Sequence, residues 1–448
     1  VRPSPPSATL TDDRFEASVR LLVDPQVGIV EYVREVPIEP GDPDLFHYAA
    51  RAADTSAFTD QKNFASTGGV ATTRKRAIGK AVGEAVERYS SALYERGELP
   101  IASADDAPFP TVDPLAFALH SPAQYDEPGF PWAPFGRDTP VRWTPARDAA
   151  TGELAYLPAA MVWMPYDYER GSDETPIVEP ISTGLAAHGD LTRATLSGVC
   201  EAIERDAFML FWQARLALPQ IRIETLGDDN YDIVARLQAG GDRVILLDAT
   251  LDLGVPTAIA ILKSDAPDRP AHAFAASTEP DPEMAVRKTL EELAHTRRYS
   301  ARVHRQMPPI PNDDPGWESV VTQLDHLNFA ADHEKLEYFT FVTASKKRID
   351  FEDMPSLSTG DPSRDLDAVL ERLARAGLRA YVADLTSDDV RAAGMCVVRV
   401  VVPGLHPLFM GHRLRALGGT RLFTVPQRLG YPGIEPGGPD NPAPHPFP

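Results

Sequence analysis

"AIGKAVGEAVERYSSALYERG" (77–97) sets Glu84, Glu87 and Arg88 as an ExxER cluster among small and apolar residues. "LSGVCEAIERDAFMLFW" (196–212) repeats the cluster with Glu201, Glu204 and Arg205, 117 positions after the first copy. Acids three apart share one face of a helix, so each pair projects together beside its arginine. Ala81, Val82, Ala85 and Val86 around the first pair, and Cys200, Ala202 and Ile203 around the second, place the acids next to a packing surface. Like charges at this spacing repel, and burial raises the cost. One such cluster alone reads as an ion pair on a solvated face. Two copies in apolar helices read better as four carboxylates converging on hard divalent cations, with Mg2+ shared between protein and substrate phosphates.

Both copies follow one grammar. "STGGVATTRKRA" (66–77) and "STGLAAHGD" (182–190) read as small-residue loops entering long helices, capped by Thr72 or Thr73 and by Asp190. A third helix is signalled in "EPDPEMAVRKTLEELAHTRRYSARVHRQM" (279–307), with Asp281 as its cap and Pro282 at its first position. That helix can add Glu292, together with Lys288 and Arg297 as cations suited to phosphate oxygens. Carboxylates mixed with guanidinium groups suggest a metal–nucleotide complex more than a bare metal. A hydrolase using two acids as general acid and base stays open, but leaves the repeated arginines unexplained. The chain has no GxSxG elbow, no GxxxxGK[ST] loop and no dinucleotide fingerprint.

A formal net charge of −21 over 448 residues argues against a general nucleic-acid surface. No run approaches the roughly 20 apolar residues of a membrane span. Cys200 and Cys396 sit in apolar surroundings and read as buried thiols of a cytoplasmic protein; two cysteines cannot build a zinc site. The opening "VRPSPPSATLTDD" reads as a mobile lead-in, and residues 14–36 as a short helix followed by a strand. Residues 98–175 read as a long irregular connector, from stretches such as "DAPFPTVDP" and "PGFPWAPFG". "RVILLDATLDLGVPTAIAIL" (243–262) and "AYVADLTSDDVRAAGMCVVRVVVPG" (380–404) share an order: strand, Asp, Thr, turn, Gly, strand. The expected fold is mixed α/β, one large domain with two related halves.

The two ExxER helices, "EELAHTR" (291–297) on the third helix and the ending "NPAPHPFP" (441–448) resemble the YcaO superfamily. The closest similarity is to its cyclodehydratase branch, the D proteins of thiazole/oxazole-modified peptide biosynthesis. The resemblance runs from about residue 60 to the end, implying a YcaO domain over 61–448 and an N-terminal, partly strand-forming segment over 1–60. It implies ATP and Mg2+ as cofactors, with the metal held by Glu84, Glu87, Glu201, Glu204 and Glu292. Arg88, Arg205, Lys288 and Arg297 fall on the nucleotide side, joined by His295 where Gln is usual and Lys80 where Ser is often found. Thr183, His188 and Arg193 also depart from the family's usual Asn, Gly and acid. Pro444, Pro446 and Pro448 form a PxPxP tail, a preorganised extended rod that adds little core and delivers the carboxylate of Pro448 to the reacting amide.

The resemblance implies an ATP-dependent cyclodehydratase that turns Cys, Ser or Thr of a ribosomal precursor peptide into thiazoline or oxazoline, with Pro448 as the catalytic group. It also implies an adenylating-enzyme-like partner that binds the leader peptide, and leaves room for a downstream dehydrogenase and a homodimer. Two alternatives stay open: the same ATP chemistry with another nucleophile, giving thioamide or amidine, and a non-catalytic scaffold subunit.

Overall fold

The computed structural model describes residues 12–39, 41–435 and 437–447, so the lead-in up to residue 11 and Pro448 lie outside the described residues. Helix α1 (Asp12–Leu22) is followed by strands β1 (Val30–Glu35), β2 (Phe46–Ala52) and β3 (Ser66–Ala71), which pair antiparallel in sequence order. Helix α2 (Arg74–Ser90) shares one core with them: Leu22, Val30, Ala50 and Ala52 pack with Ala81, Val82, Ala85 and Val86. The segment up to residue 60 therefore supplies two strands of the sheet that seats the first acid helix. Residues 66–71, expected as a loop, are the third strand. Their small side chains serve close approach instead: a Cβ on Gly69 would stand 2.3 Å from the carbonyl oxygen of Ala77.

Strand β4 (Ile101–Ala102) and the one-turn helix α3 (Pro122–Tyr125) punctuate the expected connector. From residue 141 that expectation gives way, because β5 (Val141–Asp148) and β6 (Leu154–Pro158) form an antiparallel hairpin. Pro145 and Pro158 hide it from a local reading, and both lie in the ladder between β5 and β6. Then come β7 (Leu185–His188), helix α4 (Leu191–Gln213), β8 (Gln220–Ile221), helix α5 (Asp228–Gln238), β9 (Arg243–Asp248), β10 (Thr257–Lys263), β11 (His272–Thr278) and helix α6 (Pro282–Gln306). Helix α7 (Gln323–Ala331), β12 (Arg348–Ile349), helix α8 (Pro362–Arg375), β13 (Tyr381–Asp384) and β14 (Cys396–Val401) complete the frame. One sheet runs β11-β10-β9-β8-β12; another runs β4-β5-β13-β14-β7, with β6 paired to β5.

The halves match in detail. Hairpins β9–β10 and β13–β14 are both antiparallel. Asp248 and Asp384 each accept a hydrogen bond at 3.0 Å from the amide two residues on, Thr250 and Thr386. Gly254 and Gly394 follow with φ of 64° and 76°, the left-handed turn both hairpins need. In each sheet the strand beside the hairpin, β11 or β7, leads into a long helix, α6 or α4.

Helix α4 is buried along most of its length. Its Phe208, Phe211 and Trp212 pack on Leu247, Ile259, Ile261 and Phe274 of one sheet, and its Ala194, Val199 and Ile203 on Val398 and Val400 of the other. The C-terminal tail is core as well, contrary to the free rod expected. Asn441, Ala443, His445 and Phe447 are all buried. Trp212 Nε1 donates to the carbonyl of Ala443 at 3.0 Å, and Asn441 Nδ2 to that of Trp212 at 3.0 Å. Among the described residues no helix is long and apolar enough to cross a membrane.

Candidate active site

Side-chain caps fix where the three acid-bearing helices start. Thr73, Asp190 and Asp281 accept from the amides of Arg76, Arg193 and Glu283, at 3.4, 2.8 and 3.0 Å. Glu84 accepts from the Gly68 amide at 3.2 Å and from Arg88 at 3.3 Å. Glu87 accepts from the Ala187 amide at 2.8 Å, tying α2 to β7. On α4, Arg205 reaches Glu201 at 3.2 Å and Glu204 at 3.7 Å. On α6, Glu292 lies 3.4 Å from Nδ1 of His295. His295 sits directly against β3, where a Cβ on Gly68 would stand 2.7 Å from its Nε2.

The five acids lie within electrostatic reach of one another. Burial pushes the Glu87 carboxyl up to about 8; the Ala187 amide opposes this, while Glu201 and Glu84 add to it. Burial likewise pushes Glu204 up to about 8, with Arg205 opposing and Glu201 and Glu292 adding. Glu292 goes the other way, to about 2: burial would raise it, but His295, then Lys80 and Arg205, outweigh burial. His295 is raised, because its bond to Glu292 and the charges of Glu292 and Glu84 overcome burial. Among the described residues no three His, Cys, Asp or Glu side chains form a ready-made cage for a metal ion. The arginines hold several of the carboxylate oxygens a bare ion would need. The donor set fits a metal that arrives with its own phosphate oxygens.

Other expected residues fall around this cluster. Lys80 reaches Glu291 at 2.8 Å, and Arg76 shares that fully buried acid at 3.1 Å. Lys288 is paired with Glu279; burial works against its charge, but Glu279 holds its pKa above the usual lysine value. Arg297 does not join the acids. Five positions beyond Glu292 on a helix it is turned about 140° away, and it pairs with Asp42 and Asp242, both at 3.2 Å. Pro448 lies outside the described residues, but Phe447 packs its ring against Arg205, whose Cζ is 4.3 Å from the centroid.

Sequence reasoning missed Glu279, Glu291 and Arg399. Arg399 left a signal: it is the single charge inside the apolar strand "CVVRVV" (396–401). It is 4% exposed, and its Nε and Nη2 donate to the carbonyls of Met161 at 2.9 Å and Ile181 at 2.6 Å. Among the described residues its Nη1 has no partner. Burial lowers its pKa to about 10, with Glu201 opposing and Arg88 adding, which sets it beside both acid pairs.

A mixed α/β domain with acids from three capped helices, laced with arginines and touched by the chain's own tail, defines a class of metal-dependent, phosphate-handling enzymes. Residues 68–406 match the model of the YcaO cyclodehydratases, described as ATP- and Mg2+-binding, and the chain belongs to that family. A functionally uncharacterised protein of Methanothermobacter thermautotrophicus is 29% identical over 361 residues, 78% of this chain and 85% of that protein. A heterocyclase solved in complex with substrate and cofactor superposes with a TM-score of 0.75 at 22% identity, over 97% of this chain. The chain spans 57% of that heterocyclase. YcaO from Methanopyrus kandleri, bound with AMPPCP and Mg2+, gives 0.60 at 20% identity over 88% of both chains. At these identities the structural likeness is one of fold.

Proposed function

We propose that this protein is an ATP-dependent cyclodehydratase that converts Cys, Ser or Thr residues of a ribosomally made precursor peptide to azolines. One observation carries the reading: Glu201 of the second acid pair is close enough to Glu87 of the first to act on its charge, and it is bonded to an arginine on which Phe447 rests. Glu84, Glu87, Glu201, Glu204 and Glu292 would hold Mg2+, which when bound neutralises phosphate charge. Arg88, Arg205, Lys80, Lys288 and His295 would face the ATP phosphates. Catalysis in such a site is mostly positioning and charge stabilisation.

In this reading the substrate thiol or hydroxyl attacks the preceding carbonyl carbon and loses its proton. The former carbonyl oxygen takes the γ-phosphoryl group, leaving ADP. Phosphate then departs with that oxygen as the amide proton leaves, and a C=N bond forms in the ring that the attack has already closed. Residues 61–448 would form the catalytic domain of a cytoplasmic enzyme, with leader recognition supplied by an adenylating-enzyme-like partner and any oxidation to azole by a downstream dehydrogenase.

Mass spectrometry of the cognate peptide after incubation with the protein, partner, ATP and Mg2+ tests this. Loss of one water per modified residue, matched by one ADP, is the expected result. In a parallel incubation with added sulfide, exchange of oxygen for sulfur in place of water loss would overturn azoline formation in favour of thioamide chemistry. ATP-dependent processing that needs the partner but survives without this chain would make it a scaffold.

A further inference from the structure

A mainly apolar pocket opens against Arg205, walled by Met161, Val178, Val402 and Leu405 among others. Five polar side chains also line it, and among the described residues each has a buried atom without a partner: Nη1 of Arg399, Nε of Arg205, Oγ1 of Thr183, Oε2 of Glu179 and Nδ1 of His406. Buried polar atoms destabilise a fold unless something completes their bonds. The two arginine nitrogens can only donate, a Glu179 carboxylate only accepts, and Thr183 can do either. Polyphosphate offers acceptors alone. A peptide backbone alternates carbonyl oxygens with N–H groups and carries side chains for the apolar wall.

We infer that this pocket holds the side chain of the residue preceding the cyclised one and prefers apolar residues there, with Arg399 donating to the substrate backbone. The inference rests on the proposed cyclodehydratase reading. The attacked carbonyl belongs to that preceding residue, so its side chain lies next to the oxygen that receives phosphate. Arg205 belongs to both the pocket and the acid cluster, which supplies the required adjacency. Among the described residues Arg399 makes no ion pair, and its Nε and Nη2 already brace Met161 and Ile181, so Nη1 is held ready.

The test uses the full chain with its partner and precursor peptides that differ only at this position: Leu, Gly or Asp. Wild-type protein should show a KM about tenfold lower for Leu than for Asp. Val178→Phe fills the pocket from a partly exposed wall position and should raise KM for Leu about tenfold while leaving Gly unchanged. Folded Arg399→Gln should raise KM for all three. The melting shift with AMPPCP and Mg2+ should be the same in wild type and Val178→Phe. Equal KM for Leu and Asp, or an unaltered preference in Val178→Phe, would overturn the pocket's role while leaving cyclodehydration standing. No turnover of any peptide by wild type would overturn the underlying reading as well.

Discussion

The guanidinium of Arg205 lies 4.3 Å from the ring centroid of Phe447, so the last described residue of the chain rests on the arginine that closes the second acid cluster. The same ring packs on Phe208 with centroids 4.3 Å apart, and Phe447 is 3% exposed. Tail and cluster are thus one packed unit. Phe447→Ala should cost about 3–5 kcal/mol of stability, as for other buried Phe truncations. Phe447→Leu keeps most of the apolar volume but loses the cation–π contact, worth about 0.5–2 kcal/mol. Thermal melts beside turnover assays check both. Leu should melt near wild type yet turn over more slowly, whereas full turnover in Phe447→Ala would disconnect the tail from the site.

Glu87 and Glu204 make a pH prediction for the metal-free protein. Each has a folded-state pKa of about 8, above the ordinary carboxyl value of 4.5, so the folded state binds more protons and stability falls as pH rises between them. Buried histidines act oppositely lower down. His326, near 4, and His272, near 3, lie below the ordinary 6.5, so their contribution is lost as pH falls through that range and is flat above it. From about pH 7 to 8 the decline therefore belongs to the acids together with His295, whose raised pKa adds a loss of the same sign as pH climbs above 6.5. Melting temperature in chelator should drop across that window, and Mg2+ with nucleotide should flatten it. In Glu204→Gln the drop should shrink, and an unchanged slope there would contradict the assignment.

Arg297 serves the fold. Its partners Asp42 and Asp242 have side chains 6% and 2% exposed. Arg297→Ala should destabilise by about 3 kcal/mol, the low end for a broken buried pair, because Arg298 and Arg269 still reach those acids. Nucleotide affinity of the folded variant should match wild type. Calorimetric titration at low temperature separates the two effects, and selective loss of affinity would return Arg297 to the site.

The acid helices, their caps and the paired hairpins were legible because helix spacing, capping residues and the Asp–Thr–Gly order are local signals. A sequence motif carries no angle around the helix axis, so it could not show that Arg297 pairs with Asp42 and Asp242. Strands β3 and β7 read as loops, since small residues that permit close helix packing look the same in one dimension as residues that permit flexibility. The tail read as a free rod because its alternating prolines are local, while the partners that bury it, Trp212, His326 and Phe409, lie 36 or more positions away. Arg399 showed in the sequence only as a lone charge in an apolar strand, and its meeting with a pocket needs three dimensions.

The most direct measurement is calorimetric binding of AMPPCP to wild-type protein and to Glu201→Gln, with and without Mg2+. Glu201 couples to both Glu87 and Glu204, so it is the acid whose loss should open the cluster. The account predicts tight binding only when Mg2+ is present, and loss of that Mg2+-dependent binding in Glu201→Gln while its melt shows a folded protein. Equal binding without Mg2+, or undiminished binding in the folded variant, would contradict a metal–nucleotide site built from these acids.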